Sequence, residues 1–156
     1  MEPTTVQSPE FKAWRQIVPA SITDDALWRM TVYQLALYLS DLAWDDVTVL
    51  HNDGRTRNMS GQLYRSVGSV SANIAEGYSR GSDKGRALFY EYSLGSARES
   101  RDWYFKARRK LDNGVAHDRM EILSEIVRLL LTMISGQAGR TLREPTVEYV
   151  VGEDAS

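Results

Sequence analysis

Residues 98–110 carry Arg98, Arg101, Lys106, Arg108, Arg109 and Lys110, with Trp103, Tyr104 and Phe105 set among them. Cations neutralise phosphates and aromatic faces stack on unpaired bases, so this mixture suits a nucleic-acid partner. A second basic stretch, Arg80, Lys84 and Arg86, lies in and just after Gly77-Tyr78-Ser79-Arg80-Gly81-Ser82-Asp83-Lys84-Gly85. Amides at a helix start with cations beside them welcome a phosphate. Plainer readings stand next to both. The first run also suits a solvated face whose cations favour a helix C-terminus and pair with Asp102 and Glu121. The glycine-rich stretch follows a helix and not a strand, so an ordinary helix–helix turn explains it better than a phosphate loop.

Asn73 and Glu76 are three apart, hence on one helix face, among small apolar residues. A carboxylate in such company is costly unless paired. Arg98, Arg101 and hydroxyls of the next helix are its expected partners, with Glu99 in the same network. The expected role is structural, fixing helix register. Catalytic and metal chemistry finds little to work with. The chain has no cysteine, which removes disulfides, thiolate metal sites and Cys nucleophiles together. It has two histidines, and the positions three before them are Thr48 and Gly114, so the Glu-x-x-His pairs of a di-metal bundle are missing. The Arg-to-His spacing of helical-bundle ribonucleases of the HEPN type is missed by one residue, since seven residues separate Arg109 from His117. We expect no metal, no cofactor and no catalytic residue.

Four long amphipathic segments must position these groups. The first runs from an N-cap at Thr23 to about Leu50, with Leu27, Met30, Leu35, Leu39, Leu42 and Val47 on its stripe. At ~1.5 Å per residue it is nearly 40 Å long. The second spans 57–79, with Leu63, Val67, Val70 and Ile74 at spacings of 4, 3 and 4. The third is capped by Ser82 and runs to Leu111. Its serines at 93, 96 and 100 make a thin face. Gly68, Ala72 and Ala75 offer a matching strip on the second, and close packing of the two is expected there. Asp112-Asn113-Gly114 is a stop, with the glycine free to adopt positive φ. The fourth runs from about Ala116 to Leu142, with Met120, Leu123, Val127, Leu130 and Ile134 inward. No segment alternates at period two for long enough to make a strand, Tyr149-Val150-Val151 being the one short candidate. The expected fold is all-α, an antiparallel up-down-up-down four-helix bundle over residues 23–143. A flexible N-terminal arm (1–22) precedes it, with an apolar patch at Phe11, Trp14, Ile17 and Val18 that either docks or floats. An acidic tail (144–156) follows.

With 156 residues, 42% hydrophobic and 26% charged, the chain suits one globular domain and excludes wholesale disorder. The net charge of −2 divides into −5 for residues 1–54, +7 for 55–143 and −4 for 144–156. A basic middle between acidic ends makes a local positive field. Apolar runs stop well short of the ~20 residues of a membrane span, so no membrane is expected. No N-terminal signal is apparent, and a cytoplasmic setting follows as the expectation.

Gln62-Leu63-Tyr64-Arg65-Ser66-Val67-Gly68-Ser69-Val70-Ser71-Ala72-Asn73-Ile74-Ala75-Glu76-Gly77-Tyr78-Ser79-Arg80 resembles the central motif of the 23S rRNA intervening-sequence family. Ser82-Asp83-Lys84, Phe89, Tyr90 and Leu94-Gly95-Ser96-Ala97-Arg98-Glu99 continue the likeness without a gap. The resemblance covers roughly residues 25–135. It implies a four-helix bundle that assembles as a ring-like homopentamer and binds RNA, with no established catalytic role. The chain departs from the family pattern at Ser71, Gly85 and Arg86 and in its acidic ends. The leading expectation is a non-enzymatic homo-oligomer binding RNA or a nucleoprotein. Its phosphate contacts would come from Arg80, Lys84, Arg86, Arg101, Lys106, Arg108, Arg109 and Lys110. A protein-interaction scaffold is the alternative, and a bundle-type ribonuclease using His117 a third.

Overall fold

Two short helices precede four long ones. The computed structural model describes residues 4–138. Its order is α1 (Pro9–Ile17), α2 (Ala20–Thr23), α3 (Thr31–His51), α4 (Arg57–Tyr78), α5 (Asp83–Leu111) and α6 (Asn113–Ala138), with 3-10 turns at Thr5–Gln7 and Ala26–Arg29. No strand occurs among the described residues. The apolar stripes at helical spacing meet in one core. Leu35, Leu39 and Leu50 come from α3, Leu63, Val67, Val70 and Ile74 from α4, Tyr90, Ala97 and Tyr104 from α5, and Leu123, Leu130 and Ile134 from α6. α4 and α5 run antiparallel, as do α5 and α6, since contacts descend one as they climb the next. Ser93, Ser96 and Ser100 of α5 meet Val70, Ser69 and Ser66 of α4. Arg86 and Arg101 of α5 meet Gln137 and Ser124 of α6. The expected four-helix bundle is thus α3–α6. No helix among the described residues is long and apolar enough to cross a membrane.

The turns follow local chemistry. Ser82 caps α5 by accepting from the Gly85 amide at 3.1 Å. Between α5 and α6 the positive φ falls on Asp112 (85°), not on Gly114. The Asp112 carboxylate accepts from the Gly114 amide at 2.7 Å, and so holds the start of α6, which begins three residues before the expected Ala116. Its expected end at Leu142, the tail 144–156 and the Tyr149-Val150-Val151 triplet lie outside the described residues.

The N-terminal third departs most from expectation. The first bundle helix starts at Thr31 and not after Thr23. Asp25 has extended backbone and accepts from the Leu27 amide at 2.9 Å, which caps a 3-10 turn instead of a long helix. Leu27 and Trp28 are buried from that turn. Of residues 1–22, expected as a flexible arm, Thr5–Gln7 form a 3-10 turn and Pro9–Ile17 a helix, and these sit on the bundle. Phe11 is 1% exposed. Trp14 packs against Phe11, Trp28 and Tyr38 and donates its indole N–H to Asp41 at 2.6 Å. The Thr5 amide donates to Glu125 of α6 at 3.2 Å. Of the apolar patch, Phe11 and Trp14 dock while Ile17 stays 76% exposed.

α4 and α5 do pack through a thin face, but the α4 side of it differs. Ser66, Ser69 and Val70 meet the α5 serines. Gly68 and Ala72 are exposed, and Ala75 only edges the core. Gly77 makes the close approach: a Cβ there would lie 2.6 Å from the Tyr90 ring.

Candidate nucleic-acid interface

The eight expected phosphate contacts do not form one face. Arg86 and Arg108 stand 22 residues apart on α5, about 33 Å along its axis. At the N-terminal end, local bonds occupy most of the cations. Arg80 pairs with Glu76 at 3.1 Å and lies over the Phe89 ring at 4.3 Å. Arg86 bonds Asp83, the Arg80 carbonyl and Gln137. Lys84 is exposed. Arg101, midway, turns toward α6 and donates to Ser124 at 3.1 Å.

The C-terminal end of α5 is different. Lys106 pairs with Asp102 at 2.6 Å and sits over Trp103 at 4.7 Å. Arg108 stacks on Phe105 at 4.1 Å, and that ring is 52% exposed. Arg109 is exposed. Lys110 reaches Asp53 at 3.7 Å, which places the α3–α4 turn beside this end. That turn brings two cations the sequence reading missed. Arg55 grips Asp53 at 2.8 Å, and Arg57 donates from Nε to the His51 carbonyl at 3.1 Å. Six cations from two distant segments therefore lie at one end of the bundle. Arg57, Arg108 and Arg109 have no carboxylate partner among the described residues. The hydrogen bonds from the Arg55 side chain and amide hold the Asp53 carboxyl far below the usual carboxylate range.

Asn73, Glu76, Arg98 and Glu99 do not make the expected buried network. Asn73 donates to the carbonyl and the hydroxyl of Ser69, both at 2.9 Å, and Ser96 links to the same hydroxyl. Glu76 is exposed and needs only Arg80. Arg98 is exposed on α5. Glu99 is also exposed and accepts from the Trp103 indole at 3.2 Å. The reason is rotational. The face carrying Glu76 points outward, while Ser66, Ser69 and Gly77 face α5.

The buried polar network lies elsewhere. Asp46 of α3 is buried, accepts from the Tyr104 hydroxyl at 2.8 Å and receives Arg119 through Nε at 2.8 Å and a second nitrogen at 3.2 Å. Asp118 takes the remaining Arg119 contact at 2.6 Å. Burial, and then the charge of Asp46, push the Tyr104 phenol far above its ordinary value. For Arg119, burial alone lowers the pKa, but the bond and charge of Asp46 outweigh it. Three helices are tied through one carboxylate. No pattern in the sequence marks it, because its partners are 58 and 73 residues away. A cleft of about 580 Å³ opens beside this network, between the N-terminal segment and α6, and His117, exposed, is on its lining.

Comparisons with known proteins support the fold and the family. No curated protein matches the chain. A crystal structure from Bacteroides thetaiotaomicron, described as a protein of unknown function from the S23 ribosomal protein family, superposes with a TM-score of 0.63. It is 24% identical and covers 67% of this chain and 98% of its own, which shows a shared fold. The family model described as "23S rRNA-intervening sequence protein" matches residues 29–135. That stretch begins just before α3 and takes in nearly all of α6, and on it the protein belongs to the family of 23S rRNA-intervening sequence proteins.

Proposed function

We propose that this protein is a non-enzymatic, homo-oligomeric bundle that binds structured RNA or a nucleoprotein through the end built by the last turns of α5 and the α3–α4 turn. One observation carries the reading. Arg55, Arg57, Lys106, Arg108, Arg109 and Lys110 lie at that end, three of them without a carboxylate partner among the described residues, beside the exposed ring of Phe105. Cations of this kind exchange counterions for phosphates, and an exposed aromatic adds a stacking surface. The rRNA in the family's description, and the ribosomal family of the structural neighbour, point the same way. Arg80 and Arg86, spent on local bonds, now rank below the distal cluster. The reading assigns no bond-making or bond-breaking step to the protein. A cytoplasmic setting goes with a chain that lacks cysteine.

Assembly is part of the same reading. Leu88 and Tyr92 of α5 are large side chains left more than a third exposed, and such surface marks interfaces. The ring of five rests on the family resemblance.

Salt tests the proposal. RNA affinity is expected to fall steeply between low and moderate salt, with the slope reduced by about two for Arg108→Glu combined with Arg109→Glu. Flat affinity across salt would sink the RNA reading. If that pair breaks the assembly and leaves RNA indifferent, the scaffold reading takes its place.

A further inference from the structure

Between the last turns of α3 and the first turns of α4 lies a notch of about 290 Å³ lined by Trp44, Val47, Thr48, Tyr64 and Gly61, with His51 and Asn52 also on it. Gly61 leaves its wall open, since a Cβ there would meet nothing within 4 Å. Trp44 is 62% exposed and Tyr64 43%, and their rings stand edge to face with centroids 5.9 Å apart. Two large rings are thus held open to water around a slot. A nucleobase has the shape and chemistry for it: flat, with a face for Trp44 or Tyr64 and a polar edge for His51 and Asn52.

Charge selects this occupant over an apolar side chain. The Arg57 guanidinium is fixed beside the notch by its bond to the His51 carbonyl, and it has no carboxylate partner among the described residues. The Asp53–Lys110 contact joins this position to the cationic end of α5. On the other flank Asp45 is exposed next to Trp44, and Asp41 lies one turn further back. A phosphate is repelled along α3 and attracted toward Arg57, so the strand has one way to leave.

We infer that the notch receives one unstacked base of a single-stranded RNA segment whose phosphates run over the cationic end. The inference rests on the RNA-binding reading above and narrows it to a loop, bulge or free end, because duplex bases are stacked and unavailable.

Two probes test it, a single-stranded oligoribonucleotide and a duplex of equal length, titrated against the full chain. Trp44→Ala with Tyr64→Ala is expected to weaken single-strand binding roughly tenfold or more. The duplex affinity and the salt slope should stay as in the parent. Trp44→Phe with Tyr64→Phe keeps stacking faces and should restore most of the loss. Both side chains are exposed, so an unchanged melting temperature is expected to accompany the effect. A strand carrying 4-thiouridine should crosslink to the peptide holding Trp44 or Tyr64. Equal losses on both probes, or no loss on the single strand, overturn the notch, and if the Arg108/Arg109 variant still loses binding the cationic surface survives. A parent protein that binds neither probe overturns both. If the alanine pair lowers the intact mass of the assembly while RNA affinity holds, the notch belongs to a second copy and the inference is wrong.

Discussion

A carboxylate inside a helical bundle is tolerable only when its oxygens are used, and both oxygens of Asp46 are. Tyr104 and Arg119 fill different parts of that role, so their removal should differ. Tyr104→Phe deletes one hydrogen bond to a charge, worth about 1–3 kcal/mol. Arg119→Met leaves a buried anion without its counter-charge, at about 3–5 kcal/mol. Denaturant melts of the two variants should keep that order. Asp53 is the half-buried counterpart in the α3–α4 turn. Its pKa is depressed by hydrogen bonds from the Arg55 side chain and amide, so its contribution to stability is present above its unfolded value of ~3.9 and is lost as pH falls toward the folded value. Arg55→Ala should shift the Asp53 titration upward, read by NMR of the carboxylate. Neither role was visible in the sequence. Asp46 stands beside Asp45, an identical side chain one position earlier that points to solvent, and 100° of rotation separates them.

At the scale of elements, the α4–α5 contact depends on small side chains at a few positions. Gly77→Ala would drive a methyl to 2.6 Å from the Tyr90 ring and should destabilise by about 1–3 kcal/mol. Gly68→Ala meets nothing within 4 Å, and in a helix interior it should stabilise by about 0.5–1 kcal/mol. Thermal melts of the pair separate the thin strip that packs from the one that does not. The sequence showed that serines 93, 96 and 100 formed a thin face. It did not show which thin strip of α4 they meet, because small residues occur on two sides of that helix. The N-terminal segment is a similar case. Phe11 and Trp14 have the spacing of an amphipathic turn, yet spacing does not reveal a groove to fill. Phe11→Ala should cost about 3–5 kcal/mol and should raise hydrogen exchange in residues 5–17 before that of α3–α6.

For the whole molecule, the total of −2 conceals a strongly uneven surface. Acidic α3 and the cation-rich end of α5 lie on one bundle, so any association of copies or with RNA is steered by orientation. Native mass measurement should find an assembly and not a monomer, with five copies expected from the family resemblance. Its RNA complex should dissociate as salt rises. The basic middle was legible from counting residues, but its division into a locally paired end and a converging end was not. That division depends on which carboxylates lie within reach of each cation.

Periodicity, caps and the Asn-Ile-Ala-Glu-Gly motif were enough to specify four amphipathic helices, the approximate limits of α4 and α5, and the family, since each is a property of residues a few positions apart. The seating of the N-terminal helix, the Asp46–Tyr104–Arg119 tie and the contact of Lys110 with Asp53 involve partners tens of residues apart. Such contacts depend on how each helix is rotated about its axis, which is settled only when all four stripes are buried at once.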